Sequence, residues 1–200
     1  MIYAVIDTNV LVSAALAKDQ NKSVPYMIIK EIAKKSFVPL IDNAIVEEYS
    51  EVLGRSKFGL QKNVSNEILN TVVANSLKVS VPKTGKILPD MDDVIFYDVA
   101  FGNKDKGAYL VTGNIKHFPD CDFVVTPRNF LSVVNPVVPS VVNDSQVIYD
   151  PTGLLEALRK LNENAHKNGT AGMSEEEIEA EIMLMHKERR EQKKVWWMPN

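Results

Sequence analysis

Short apolar, β-rich segments alternate with amphipathic helical ones along the first two thirds of the chain, and this alternation restricts the fold more than any other feature. Ile2–Ile6 is apolar throughout and reads as a strand buried on both faces, as in parallel sheets. Residues 25–35 carry apolar side chains at helical spacing, and Phe37–Ile41 is a second strand. Asp42 or Asn43 then caps a helix through Leu53, with Ile45, Val46, Tyr49, Val52 and Leu53 on its inner face. A helix over Ser65–Leu77 leads to a brief strand, Lys78–Val81, ended by Pro82. After a loop at 83–91, Asp92 and Asp93 open a helix closed by Gly102. Ala108–Thr112 and Phe123–Thr126 read as strands, and Pro127 starts a short helix through Val133. The expectation is an α/β fold whose mostly parallel sheet is sandwiched between helices.

The composition shifts at Asn135. Residues 135–149 are Val-rich with scattered Pro and no helical period, so they read as an extended linker between a domain at 1–134 and a helical extension at 150–200. In the extension, one helix starts at Asp150-Pro151 and exposes Leu154, Leu155, Leu158 and Leu161. A capping-box pattern at Ser174–Glu177 opens a second, acidic first and basic last, with Ile178, Ile182, Met183 and Met185. Both are too polar to form a domain alone and need a partner surface.

A single cysteine, Cys121, excludes an internal disulfide and a thiolate zinc cluster. No apolar run reaches the ~20 residues of a membrane helix, and Met1–Ile6 lacks the basic start of a secretion signal. A cytoplasmic protein with no membrane association is expected. With a net charge of -3, any nucleic-acid binding has to rest on a local basic rim.

The chemistry is carried by acidic residues at the ends of elements. Asp7 follows the first strand, where side chains point into the crevice of a parallel sheet, or else it caps the next helix. Asp90, Asp92 and Asp93 precede a helix, whose dipole they would also offset. Glu47, Glu48 and Glu51 lie on the helix after Asp42, and Asn114 follows the 108–112 strand as Asp7 follows its own. Converging carboxylates repel unless a cation sits among them, and an all-oxygen set selects Mg2+ or Mn2+. Such ions suit phosphodiester hydrolysis. His117, His166 and His186 show no metal-ligand spacing, no G-x-S-x-G elbow, P-loop or G-x-G-x-x-G is present, and nothing supports Cys121 as a nucleophile.

Five stretches in register resemble one family. VIDTNVLVSAAL is similar to the opening strand and helix of PIN-domain ribonucleases, and IVEEYSEVLGRSKF to the segment E-Y-x-E-V-L-x-R-x-K-F of one branch. LPDMDDVIFYDVA resembles its D-x-x-D-x-x-F segment, and AYLVTGNIKHFP and VVTPRNFL its closing strand, turn and last helix. That branch, VapC-like, is described as the toxin component of toxin–antitoxin systems. The resemblance implies a PIN-like three-layer α/β/α fold plus the C-terminal helical extension. It also implies Mg2+ or Mn2+ dependence and endonucleolytic cleavage of single-stranded RNA. By position it makes Asp7, Glu48 and Asp93 the catalytic, metal-holding residues, with Asp92 the alternative to Asp93. Asn9 matches the polar residue of the D-T-N start. The fourth acidic position of the family is Asn114 here, which removes one charge. Arg55, Lys116 and His117 are expected nearest the crevice as RNA contacts.

Residues 150–200 resemble the toxin-binding parts of small antitoxins, and the alternative is a plain packing or dimerisation arm anchored by Trp196 and Trp197. The protein partner is then an antitoxin or the chain's own tail, alone or exchanged in a homo-oligomer, with Arg189 or Arg190 near the carboxylates. Two competing readings stand beside the nuclease. One is a catalytically weak RNA-binding or protein-interaction module. The other is a metal-dependent phosphatase, which lacks its Asp-x-Asp start because residue 9 is Asn.

Overall fold

The structure, a computed structural model, describes residues 1–136 and 150–195. Most of the expected 135–149 linker, and Trp196 and Trp197, lie outside the described residues. Five parallel strands form the central sheet: β1 (Tyr3–Ile6), β2 (Val38–Ile41), β3 (Leu77–Lys78), β4 (Ala108–Val111) and β5 (Val124–Val125). Their order is β3-β2-β1-β4-β5, and every pairing is parallel. The chain therefore winds outward from β1 to one edge and returns at β4 to build the other. The β1/β4 boundary is the switch point, and the crevice beyond its carboxyl ends is where such sheets bind ligands.

Helices cover both faces in three layers: α1 (Thr8–Ala15), α2 (Val24–Ala33), α3 (Asn43–Leu53), α4 (Lys62–Ala74), α5 (Val94–Gly102) and α6 (Pro127–Val134). Their ends follow local chemistry. Ser23, Asp42 and Thr126 cap α2, α3 and α6 through side-chain oxygens, with proline in the first turn of α2 and α6. Tyr49, in the middle of the expected inner face of α3, donates its hydroxyl to the Ile6 carbonyl and ties that helix to the end of β1.

Several boundaries differ from expectation for reasons a local pattern does not contain. Helix α4 begins three residues early, where the Gln61 amide donates to Asn164 Oδ1 at 2.8 Å, a partner a hundred residues away in sequence. Strand β3 stops at two residues because only Leu77 and Lys78 pair with β2. The C-terminal helix α7 (Leu154–Lys167) starts after Pro151, because Gly153 takes a left-handed turn (φ 73°) and Asp150 Oδ2 accepts from the Leu155 amide at 2.7 Å.

Helices α7 and α8 (Glu175–Val195) pack on the rest of the chain. Leu154, Leu158, Leu161, Ile178, Ile182 and Met185 belong to the same buried cluster as Val5, Leu11 and Leu110. Met183, expected on the inner face, is exposed instead, since it lies a quarter-turn past Ile182. Among the described residues no helix is long and apolar enough to cross a membrane. Because Leu158 is fully buried in the shared cluster, Leu158→Ala should cost about 2–5 kcal/mol. In a urea titration it should shift one cooperative transition of the entire chain; a separate early transition would mean that α7 unfolds independently of the sheet.

Candidate active site

The crevice beyond β1 and β4 is assembled from four pieces of chain. Asp7 ends β1 and occupies the N-cap position of α1, yet its side chain makes no capping bond. Its Oδ2 accepts instead from Thr112 Oγ1 at 2.6 Å and from Asn9 Nδ2 at 3.1 Å. The capping alternative for Asp7 is thereby set aside. Asp93 behaves likewise at the start of α5: it makes no cap bond, and its Oδ2 accepts from His117 Nδ1 at 2.9 Å. The cap in that acidic run is Asp90, which accepts from the Asp92 amide. Glu48 is brought in by α3, whose neighbouring Tyr49 is fixed to β1, and is only 2 % exposed.

Asp7 feels the charge of Glu48, and Asp93 that of Asp7, so the three carboxyls lie around one crevice. Burial, and then the charges of Glu179 and Glu48, push the Asp7 carboxyl up to about 7 despite the bond from Thr112. Burial, then Asp7 and Asp90, push Asp93 up to about 9. Burial is the larger cause in both, with like-charge repulsion second.

Two amides complete the Asp7 side. Asn9 Oδ1 accepts from the Gly113 amide, which fixes its orientation and turns its Nδ2 toward Asp7. Asn114 Nδ2 lies 2.9 Å from His117 Nε2 and 3.0 Å from Glu179 Oε1. That amide therefore presents its donor to the crevice, and the His117 ring links it to Asp93. Asn9, Asn114, Lys116, Thr126 and Glu179 line an adjoining cavity of about 350 Å³.

The remaining carboxylates are held by α8. His186, 1 % exposed, places Nε2 2.6 Å from Glu48 Oε1 and Nδ1 2.7 Å from Asp90 Oδ2. Arg189 reaches Glu48 Oε2 at 2.9 Å and Asp92 Oδ1 at 2.8 Å, and Arg190 reaches Asp90 Oδ1 at 2.8 Å and Asp92 Oδ2 at 2.5 Å. Burial works against a charged His186, but the bonds to Asp90 and Glu48 prevail and raise it to about 10. The same ion pair holds Asp90 well below the usual carboxylate range, against its burial.

Of the expected RNA contacts, Lys116 lines the cavity and His117 is engaged by Asp93. Arg55 faces α8, bonding Glu181 at 2.6 Å and Glu188 at 2.5 Å. Sequence reasoning gave Glu179 no role, and it found no metal-ligand spacing for His186, placing it only in the run 186–190 that could reach the acidic pocket. The signal for His186 is its position on one helical face with Arg189 and Arg190. Asp90, Asp92 and His186 are close enough together to share one cation.

The sequence profile of the PIN domain family matches residues 3–116, which takes in Asp7, Glu48, Asp93 and Asn114. Among curated proteins and among solved structures no match was found.

A carboxyl whose pKa rises on folding binds its proton more tightly in the folded state. Such a group lowers stability as pH climbs from its ordinary value, 3.8, to about 7. Asparagine at this position has no charge to bury. In EDTA, Asp7→Asn should melt with the parent protein near pH 4 and above it by several degrees from about pH 7 upward. A thermal shift series across pH reads the difference, and a gap of constant size would mean that Asp7 carries no such burden.

Proposed function

The chain belongs to the PIN-domain family, whose members are typically metal-dependent nucleases, and we propose that it is a Mg2+- or Mn2+-dependent endoribonuclease that hydrolyses phosphodiester bonds in single-stranded RNA. The observation that carries this reading is the pair Asp7 and Asp93: both carboxyls are buried at the switch-point crevice, where burial and neighbouring charges resist their ionisation unless a cation joins them. The donor set fits a hard divalent ion, since Asp7, Glu48 and Asp93 offer only carboxylate oxygens. When bound there, the ion would supply Lewis acidity at the phosphate and a water acidified toward neutral pH.

The chain's own groups prepare the site. Thr112 and Asn9 hold Oδ2 of Asp7, and His117 holds Oδ2 of Asp93, which fixes both carboxylates in the orientation a ligand needs. Lys116, on the cavity wall, offers a phosphate contact beside them. A cavity of about 350 Å³ takes one splayed nucleotide and no duplex, which favours a single strand. In the same proposal the nuclease is a toxin component, and its antitoxin-like tail, basic toward its end, is the segment that restrains it.

A PIN-fold binding module with little turnover is the second reading, favoured by Asn114. Its Nδ2 donates to two acceptors, so the amide holds its neighbours by hydrogen bonds where the family has a fourth carboxylate. A fluorescent single-stranded RNA separates the two. Cleavage should appear with Mn2+, stop with EDTA and spare a duplex. Asp7→Asn or Asp93→Asn should reduce it by more than the ~10–100-fold typical of a ligand's outer partner. Lys116→Ala should weaken RNA binding and lower the slope of log affinity against log salt by about one. Binding without metal-dependent cleavage would support the module instead.

A further inference from the structure

Three acidic side chains in the crevice have both oxygens occupied, and every occupant but one backbone amide is on α8. Glu48 is held by His186 and Arg189, Asp90 by His186 and Arg190, and Asp92 by Arg189 and Arg190. The three cations lie at i, i+3 and i+4, so a single turn of helix satisfies all of them. This is no loose surface pairing: His186, Glu48 and Asp90 are each at most 4 % exposed. Ile178, Ile182 and Met185 seat the same helix in the core, and Arg55 clamps it at Glu181 and Glu188.

The fit is nevertheless incomplete. Arg189 Nε is buried without a hydrogen-bond partner, a cost that docking bears and release removes. Burying these ions also costs desolvation, which the pairing has to overcome. The helix is held by contacts that a stronger competitor for the carboxylates can replace.

We propose that α8 is an intramolecular plug. His186, Arg189 and Arg190 take the carboxylate oxygens that a divalent cation needs, Glu48 above all, so that helix docking and cation binding exclude each other. This rests on the metal-dependent reading of the crevice. Glu179 does not make the helix a ligand donor, because its two oxygens accept from the amides of Asn114 and Asn9. The plug is cationic where the crevice is anionic, and it covers Glu48, which the site requires.

The test uses the full chain and two readouts that need no catalysis: Mn2+ affinity by calorimetry, and backbone hydrogen exchange over 175–195. Arg189→Ala/Arg190→Ala should bind Mn2+ about tenfold more tightly than the parent, within the usual range of coupling between two sites. Glu181→Gln/Glu188→Gln, which loosens only the Arg55 clamp, should move affinity in the same direction and guards against a folding defect in the first variant. Saturating Mn2+ should speed exchange in α8 of the parent. Equal Mn2+ affinity in all three proteins, with exchange in α8 unmoved by Mn2+, overturns the plug while leaving the metal site standing. No Mn2+ binding in any of them, though α8 exchanges faster in the variants, overturns the metal reading and the exclusion with it. Protection of α8 that falls on dilution together with a dimer would assign the plug to a second copy and overturn its intramolecular form.

Discussion

His186 bonds carboxylates through both ring nitrogens, and the rest of the site depends on that bond. A neutral imidazole has one donor; two facing carboxylates require the imidazolium, which explains why its pKa climbs to about 10 in a buried position. The ring joins three elements distant in sequence: α8, α3 through Glu48, and the turn before α5 through Asp90. Without it, two nearly dry carboxylates would face each other unpaired, which costs far more than the pair contributes when whole. His186 thus fixes, with the apolar seat of Ile178, Ile182 and Met185, how α8 lies against the crevice.

The crowding that needs such a cation follows from the sheet. Strand order β3-β2-β1-β4-β5 opens a crevice only beside β1 and β4, so acidic residues from four segments meet there. Tyr49 then commits α3 to the end of β1 and brings Glu48 in with it. A fold that gathers carboxylates in this way stores repulsion and desolvation in its metal-free form. The chain answers with two devices: Asp7 and Asp93 retain protons, while Glu48, Asp90 and Asp92 receive cations from α8. The first device involves α8 as well, since the charge of Glu179 helps raise both carboxyls; the second ties the stability of residues 150–195 to the state of the site.

Strands β1, β2, β4 and β5 were legible because each lies in a short apolar run between helical periods, whereas the exposed two-residue β3 exists only by its pairing with β2. That Asp7, Glu48 and Asp93 stand at the ends of elements and on one helix face was legible; how their oxygens sit relative to one another was not. Other features depended on distant partners. The start of α4 is set by Asn164, and the role of Arg55 is set by Glu181 and Glu188, two turns of a helix more than a hundred residues on. Glu179 and His186 sit in a helix so rich in charge that composition favours a solvated face. Only the docking of Ile178, Ile182 and Met185 turns that charged face inward.

Asn114 and the tail have one explanation in common. The Asn114 amide donates to His117 and to Glu179, so it fixes the imidazole toward Asp93 and accepts a carboxylate from α8 at 3.0 Å. An aspartate there would offer no donor to either neighbour. It would set two like charges at hydrogen-bond distance, in a crevice where Asp7 and Asp93 already resist ionisation. Helix α8 could not then enter with Glu179 in its present place. With asparagine at position 114 the acidic start of α8 meets an amide donor, while the basic turn at its other end holds Glu48, Asp90 and Asp92.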